Sequence, residues 1–115
     1  MKHIASNDRV PAAISVEGAV DVKKAGLITA ADESPTSAMR LFEIGPGGNT
    51  PYHVHDWEHV VYILEGKGTL KTENGDAEFY AGDSLLAAPG EKHNFVNPGD
   101  SPLRFLCIVP LRGDA

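Results

Sequence analysis

The stretch 53–66, HVHDWEHVVYILEG, carries three of the chain's five histidines and runs directly into a segment rich in β-branched and aromatic residues. Such a segment favours a β-strand, and the glycine at its end favours a turn. Side chains two positions apart on a strand share a face, so the imidazoles of His53 and His55 are predicted to lie side by side. His59 has the same parity, but a turn at residues 56–58 would break that relation. Spacing alone therefore pairs two of these histidines and leaves the third open.

Short runs of the same kind continue on both sides of this stretch, separated by glycine and proline. The segments predicted as strands are 38–44, 52–55, 59–64, 68–73, 76–80, 84–87, 93–97 and 103–109. Asn74-Gly75 predicts a two-residue hairpin turn, and residues 45–48 (GPGG) predict the end of the first strand. Residues 10–24 show no dominant period and fit either an N-terminal strand or an irregular arm. Eight short strands without helices between them predict an all-β sandwich or a small barrel.

Two turn-forming features support this interpretation. Gly47, Gly48 and Gly82 stand where tight turns are expected, and each is predicted to adopt a positive φ. Asn97 ends a predicted strand and is expected to cap the turn that follows it.

Composition limits the classes of protein to which this chain can belong. Its 115 residues, 42% of them hydrophobic, suit one domain with a core of ordinary size. The formal net charge of −6, without any run of like charge, argues against nucleic acid and anionic membranes as partners. The first ten residues lack the apolar segment of a signal peptide, and no run approaches the roughly 18 apolar residues of a spanning helix. Cys107 is the only cysteine, which excludes an intramolecular disulfide and is typical of a reducing compartment. We therefore predict a cytoplasmic protein.

Two longer motifs surround the histidines. The first reads GGNTPYHVHDWEHVVYILEG over residues 47–66, and the second reads GDSLLAAPGEKHNFVN over residues 82–97. In this order and at this spacing they resemble the two motifs of the cupin superfamily. The resemblance implies a double-stranded β-helix, or jelly-roll barrel.

The resemblance also divides the chain. It implies a cupin barrel over residues 38–115, preceded by an N-terminal arm or strand over residues 1–37. Small cupins commonly dimerise, and an open sheet edge needs to be covered. We therefore predict a homodimer with the N-terminal segment in its interface.

The same resemblance implies one divalent transition metal per chain, held by His53, His55, His59 and His93. Most cupins carry a glutamate ligand where this chain has His59. The neighbouring Glu58 is expected to face away, because adjacent side chains on a strand point to opposite faces. His93 lies far away in sequence, so only the fold can bring it to the other three histidines.

The identity of the metal is less constrained by the sequence. Imidazole ligands suit iron, nickel and zinc better than manganese, which is a harder ion. The resemblance to small four-histidine cupins, several of which are manganese proteins, favours manganese. We therefore predict manganese or iron first, with zinc, nickel, cobalt and copper as alternatives. His3, in the polar N-terminal segment, is not expected to be a ligand.

Candidate pocket residues come from the two strands that flank the motifs. Arg40 could hold a substrate carboxylate if it points inward, and the alternative is a surface arginine. Phe105 and Cys107 alternate with Arg104 and are predicted to line the interior near the metal, where Cys107 could be simply a small buried hydrophobe. The larger aromatic residues are expected to pack in the core rather than to contact substrate: Trp57, Tyr62 and Phe95.

The function predicted first is a metal-dependent oxidoreductase of dioxygenase type that acts on a small organic molecule. The first alternative is a non-redox metalloenzyme (an isomerase, cyclase or lyase), for which Glu43 and Tyr52 are weak candidates as general base. The second alternative is a cupin that binds or senses a small molecule without catalysis. Fold alone does not decide among these, because one fold hosts many chemistries.

Overall fold

The computed structural model describes residues 1–114 and confirms the all-β prediction. Within this range the chain forms nine strands, connected by turns and three short 3-10 helices at Ser6–Asp8, Ala30–Asp32 and Leu111–Gly113. The strands are β1 (Ala12–Ala13), β2 (Val20–Ile28), β3 (Ser37–Asn49), β4 (His59–Glu65), β5 (Lys67–Thr72), β6 (Gly75–Tyr80), β7 (Ser84–Ala87), β8 (His93–Val96) and β9 (Leu103–Pro110). No helix in this part of the chain is long and apolar enough to cross a membrane.

The strands form one curled antiparallel sheet in the order β6-β5-β8-β3-β9-β4-β7, with β2 paired to β3 and β1 paired to β2. β3 connects the whole assembly because it pairs with β2, β8 and β9 along its length. The predicted end of this strand at residues 45–48 was wrong, since β3 continues to Asn49. Gly47 adopts the predicted positive φ of 78°, as Gly82 does at 92°. Gly48 does not; it is needed for close approach, because a Cβ there would lie 2.5 Å from the carbonyl oxygen of Val20.

Strict alternation along β4 and β9 separates an inner face from an outer one. On β9 the odd-numbered residues 103, 105, 107 and 109 are buried, and the even-numbered residues are partly or fully exposed. On β4, His59, Val61 and Ile63 are buried, whereas Val60, Tyr62 and Leu64 are exposed. This period of two is what a sheet with one covered face requires. It places His59, the first residue of β4, on the inner face.

The hairpin predicted at Asn74-Gly75 forms one residue earlier. Thr72 pairs with Gly75, so the loop is Glu73-Asn74. Gly75 still supplies the unusual backbone conformation, with a φ of 127°. The composition thus located the turn, while the pairing register decided which two residues make it.

The N-terminal segment lies on the sheet of its own chain. β2 pairs with β3 from Val20 to Ile28, so the later part of the segment 10–24 is a strand rather than an irregular arm. Arg9 makes a forked ion pair with Asp32, with nitrogen-oxygen distances of 2.7 and 3.0 Å. The Arg9 guanidinium holds the pKa of the Asp32 carboxyl well below its usual range. This pair attaches the polar start of the chain to the end of β2.

Asn97 fixes the turn after β8, as expected from its position. Its side chain is fully buried. The amide nitrogen donates to the carbonyl oxygens of Ile44 and Ser101, both at 2.9 Å, and the amide oxygen accepts from the N–H of Gly99 at 3.1 Å. One side chain therefore hydrogen-bonds three backbone groups, of which the carbonyl of Ile44 is buried.

The Asn97→Ala substitution should destabilise the fold by about 2–4 kcal/mol, because it leaves these backbone groups without their partner. Urea unfolding of the metal-free protein measures this loss. Asn74→Ala is the matched control, since the Asn74 side chain is exposed and bonds only Glu91 at 3.0 Å. A loss at position 97 no larger than that at position 74 would contradict the role of Asn97.

Candidate metal centre and adjoining cavity

A pair of backbone hydrogen bonds brings the two sequence motifs together. The N–H of His53 donates to the carbonyl of His93 at 3.1 Å, and the N–H of His93 donates back to the carbonyl of His53 at 2.9 Å. This is a single antiparallel bridge, and the strand predicted over residues 52–55 was wrong. His53 thus lies beside His93 although forty residues of chain separate them.

Three further hydrogen bonds hold the histidine loop in place. The N–H of Thr50 donates to the carbonyl of Phe95 at 2.9 Å, and its hydroxyl accepts from the N–H of Phe95 at 2.9 Å. At the other end of the loop, the N–H of Gly90 donates to the carbonyl of His55 at 2.7 Å. The loop carries the HxH pair without being a strand, because neighbouring backbone and a threonine side chain supply its partners.

Three histidines form a compact cluster. The candidate ligand atoms of His53, His55 and His93 all lie within 4.8 Å of one another. The ring centroids of His53 and His55 are 4.2 Å apart, which is the side-by-side arrangement expected from their spacing. Such a cluster of imidazoles is compatible with binding a metal ion.

His59 lies against this cluster without belonging to the compact triplet. Its ring centroid is 4.8 Å from that of His55 and 4.9 Å from that of His93. It begins β4 and is buried, whereas Glu58 beside it is exposed. His3 is exposed in the N-terminal segment.

The hydrogen bonds of the rings leave nitrogen lone pairs available. The Nδ1–H of His93 donates to the carbonyl of Glu91 at 2.9 Å, which leaves its Nε2 unprotonated when the ring is neutral. The Nδ1 of His59 lies 3.2 Å from the Sγ of Cys107. The Nε2 atoms of His55 and His59 are buried and have no hydrogen-bond partner anywhere in residues 1–114. Buried nitrogen atoms without partners are costly unless a ligand binds them, so the donor set fits a metal ion.

Burial favours the neutral, metal-binding form of His53, His55 and His59. Loss of water lowers the pKa of His59 to about 3, helped by the nearby His93 and His55. The same cause lowers the pKa of His55 to about 4, with smaller contributions from His53 and His93. The pKa of His53 is lowered too, first by burial and then by His93.

A cavity of about 320 Å³ opens beside the histidines. Its walls are mainly apolar and come from the N-terminal segment, the histidine loop and the inner face of the sheet: Ile14, Val16, Phe42, Trp57, Phe95 and Phe105. Trp57 and Phe95 therefore line the cavity while they also pack in or against the core, as predicted. Trp57 stacks on His55 with ring centroids 4.5 Å apart and planes within 6°. Tyr62, predicted to pack in the core, is instead 47% exposed on the outer face.

Arg40, Phe105 and Cys107 all line this cavity. Arg40 is 5% exposed, and its Nη2 donates to the Sγ of Cys107 at 3.3 Å. Burial raises the pKa of the Cys107 thiol, which therefore stays protonated. The weak base candidates lie elsewhere: Glu43 binds Arg104 at 3.0 Å, and Tyr52 is exposed under the Lys92 ammonium. Neither of them is among the residues that line the cavity.

Sequence reasoning missed several residues around the cavity. Ile14 and Val16 come from a segment without a motif, and Lys24 reaches the cavity from β2. Asp114 contacts Arg40 at 3.5 Å although 74 residues separate them. No local pattern pointed to Lys24, and only its pairing with Phe42 across β2 and β3 shows which residues it lies beside.

The chain belongs to the cupin family. The family model of the cupin domain matches residues 40–109 of the sequence. This range contains most of the sheet and every histidine of the chain except His3. The resemblance found in the two motifs is thereby confirmed at the level of the family.

Two characterised relatives indicate the range of functions in this family. The chain is 32% identical over 98 residues to an oxalate-binding protein of Thermotoga maritima, covering 82% of this chain and 79% of the relative. It is 36% identical over 80 residues to 1-methylthio-D-xylulose 5-phosphate methylsulfurylase of Rhodospirillum rubrum, covering 69% of this chain. It spans about half of that second relative, 51% of its length.

A solved structure with a similar fold belongs to an enzyme. The polyketide cyclase RemF from Streptomyces resistomycificus superposes with a TM-score of 0.89 at 31% identity, covering 96% of this chain and 80% of RemF. The predicted oxalate decarboxylase of Thermotoga maritima superposes with a TM-score of 0.84 at 27% identity, covering 96% of this chain and 99% of that one. These proteins share the fold and have different functions.

The metal-free protein should lose stability on acidification because of His59. Below about pH 6.5 the unfolded chain takes up a proton at this histidine that the folded chain binds only near pH 3. Stability is therefore full above pH 6.5 and falls by roughly 1.4 kcal/mol per pH unit for this one group as the pH drops. Urea unfolding at a series of pH values between 7.5 and 4.5 measures the slope.

Two variants, one a test and one a control, assign this slope to His59. His59→Gln should flatten the pH dependence by that amount, whereas the change of the exposed His3 to Gln should leave it unchanged. Parallel curves for the native protein and His59→Gln would show that His59 is not held neutral by burial.

Proposed function

We propose that this protein is a metal-dependent enzyme acting on a small organic molecule, with one divalent metal held by His53, His55, His59 and His93. The observation that carries the proposal is the convergence of four imidazole rings at the wall of an apolar cavity, with two buried Nε2 atoms lacking partners. Similarity to a polyketide cyclase, a methylsulfurylase and an oxalate-binding protein supports a small-molecule substrate.

The hydrogen bonds behind the rings orient the proposed ligands. Glu91 holds the proton of His93 on Nδ1, so that Nε2 faces the cluster. Cys107 can do the same for His59 if its sulfur accepts a hydrogen bond from Nδ1–H. The unpartnered Nε2 of His59 is then left for the metal. Partners of this kind fix the tautomer and orientation of a ligating histidine.

When bound, the metal supplies Lewis acidity towards a carbonyl or enolate oxygen and, if it is iron or manganese, also redox chemistry with dioxygen. Four neutral imidazoles leave the full positive charge of the cation uncompensated, which favours polarisation of a substrate over oxidation of the site. The apolar walls exclude water and so strengthen this electrostatic effect. The geometry therefore supports a non-redox reaction best, such as cyclisation or isomerisation.

An oxygen-dependent reaction of dioxygenase type is the second candidate. The cavity beside the histidines is large enough for a substrate and lined by hydrocarbon, an environment in which dioxygen dissolves readily. A cupin that binds a small molecule without turnover is the third. Manganese or iron remains our first proposal for the metal, and cytoplasmic localisation belongs to the same proposal.

The decisive experiment combines metal analysis with turnover assays under air and under nitrogen. Elemental analysis of purified protein should find about one divalent metal per chain. Its affinity should fall by more than about 100-fold in His93→Ala, beyond the loss typical of removing an outer hydrogen-bond partner. The His3→Ala variant is the control and should keep its metal.

The two atmospheres then separate the candidate functions. Loss of a diketone or cyclisable polyketone substrate under nitrogen, with zinc in the site, supports the non-redox enzyme. Consumption that requires air and manganese or iron supports the dioxygenase. Metal contents in His93→Ala and His59→Ala equal to those of the native protein would overturn the four-histidine site.

We also propose that the protein is a homodimer, assembled through the outer face of β3, β4, β7 and β9. On this face Leu86, Val60 and Ile108 stand in register across three strands and are 64%, 47% and 39% exposed. Tyr62 and Met39 extend the same apolar surface. A second copy related by a two-fold axis would cover it with an identical apolar surface.

Light scattering after gel filtration should give twice the mass of one chain. Val60→Glu should convert the protein to a monomer, because it places a charge at the centre of this face. Tyr80→Glu is the matched control, since Tyr80 is equally exposed at 56% but lies on β6, away from the face. A monomeric native protein would refute the dimer.

A further inference from the structure

The guanidinium of Arg40 is buried without a complete set of acceptors. It has five N–H groups. Nη2 donates to the Sγ of Cys107 at 3.3 Å, and Nη1 lies 3.5 Å from a carboxylate oxygen of Asp114. The Nε atom is fully buried and has no acceptor in the described chain. A cation that is only 5% exposed thus keeps at least one free N–H.

The existing partners of Arg40 are weak ones. The thiol sulfur of Cys107 is a poor hydrogen-bond acceptor. A strong guanidinium-carboxylate contact has a nitrogen-oxygen distance of about 2.8 Å, and the contact with Asp114 is 3.5 Å long. The Asp114 carboxylate is also shared, since the ammonium of Lys24 lies 3.6 Å from the same oxygen. Burial of a charge costs much free energy unless it is paired and hydrogen-bonded. Arg40 therefore lacks a close anionic partner among residues 1–114.

The surroundings of Arg40 define what kind of anion fits. Arg40 lines the cavity together with Lys24, Thr50, the four histidines and a larger number of apolar and aromatic residues, so its guanidinium adjoins a space with a largely apolar wall. A volume of about 320 Å³ is at the small end of the usual range for ligand sites. A compact molecule with one anionic end and a flat apolar body matches both features, whereas a bare inorganic anion would leave the apolar walls unfilled.

The position of Arg40 also relates the anion to the histidine cluster. The Sγ of Cys107 contacts Arg40 on one side and the Nδ1 of His59 on the other, at 3.3 and 3.2 Å. The guanidinium is therefore a near neighbour of the proposed metal ligand. A molecule bound by Arg40 presents the atoms next to its anionic group to the histidines.

We propose that the cavity binds a small organic carboxylate, with its oxygens on the terminal Nη groups of Arg40 and its apolar body against the aromatic walls. This assignment rests on the proposed function and names its substrate class. Asp114 is the internal competitor: its carboxylate holds Arg40 weakly in the free protein, and the ligand takes its place.

Binding of benzoate, compared with the neutral and nearly isosteric benzamide, tests this assignment. Trp57 is the chain's only tryptophan and lines the cavity, so its emission reports occupancy directly. Titrations of metal-free and zinc-loaded protein at constant ionic strength should show benzoate binding at least about tenfold more tightly than benzamide, because it forms charge-assisted hydrogen bonds. Isothermal titration calorimetry gives an independent measure of the same difference.

Three variants separate the role of Arg40 from general effects of charge. Arg40→Met should weaken benzoate binding by at least about tenfold and leave benzamide unchanged. Asp114→Asn should tighten benzoate binding several-fold, because it removes the competitor. Arg104→Met is the matched control: it deletes the same charge on the outer face, where Arg104 binds Glu43, and should change neither ligand.

Equal binding of benzoate and benzamide by the native protein would overturn the assignment, and so would an unchanged benzoate affinity in folded Arg40→Met. If Arg40→Met does not fold, Asp114→Asn decides, and failure to tighten benzoate binding counts against the proposal. If the protein prefers benzoate but binds no metal, the carboxylate site is supported and the proposed metalloenzyme function is overturned. If the protein binds metal but shows no preference for benzoate over benzamide, the carboxylate site is overturned and the metal site stands.

Discussion

The reciprocal pair of backbone hydrogen bonds between His53 and His93 is the constraint on which the site depends. It joins a loop from the first motif to the first residue of β8 from the second, and places two imidazoles on one side of the junction. Thr50 and Gly90 secure the loop at either end. Rings positioned by backbone contacts in this way lose little conformational freedom when they bind a ligand, which is what a preorganised site requires.

The sulfur of Cys107 has a comparable role at a smaller scale. It touches the imidazole of His59 and the guanidinium of Arg40, so one neutral atom separates the proposed metal ligand from the only arginine that lines the cavity. Because burial keeps the Cys107 thiol protonated and favours the neutral form of His55 and His59, the positive charge beside the cavity comes from Arg40, Lys24 and any bound metal. The site is therefore electrophilic within an apolar enclosure.

The sheet supports two separate features because alternate residues of a strand point in opposite directions. β4 contributes His59, Val61 and Ile63 to the interior and presents Val60 and Tyr62 on the outside. The proposed metal centre and the proposed dimer face are thus on opposite sides of the same strand. A substitution on one face can change assembly while the ligands on the other face keep their positions.

The sequence by itself determined the all-β fold class and the positions of most strands along the chain, because these follow from local composition and period, while its two motifs carried the resemblance to the cupin family. The end of β3 at Asn49 and the hairpin turn at Glu73-Asn74 depended on register between strands, which no local pattern contains. Only the tertiary structure decided that Arg40 faces the cavity, that Trp57 lies over His55, and that Asp114 reaches back to Arg40. Those contacts join residues far apart in the chain, and their geometry is set by how the sheet curls around its core.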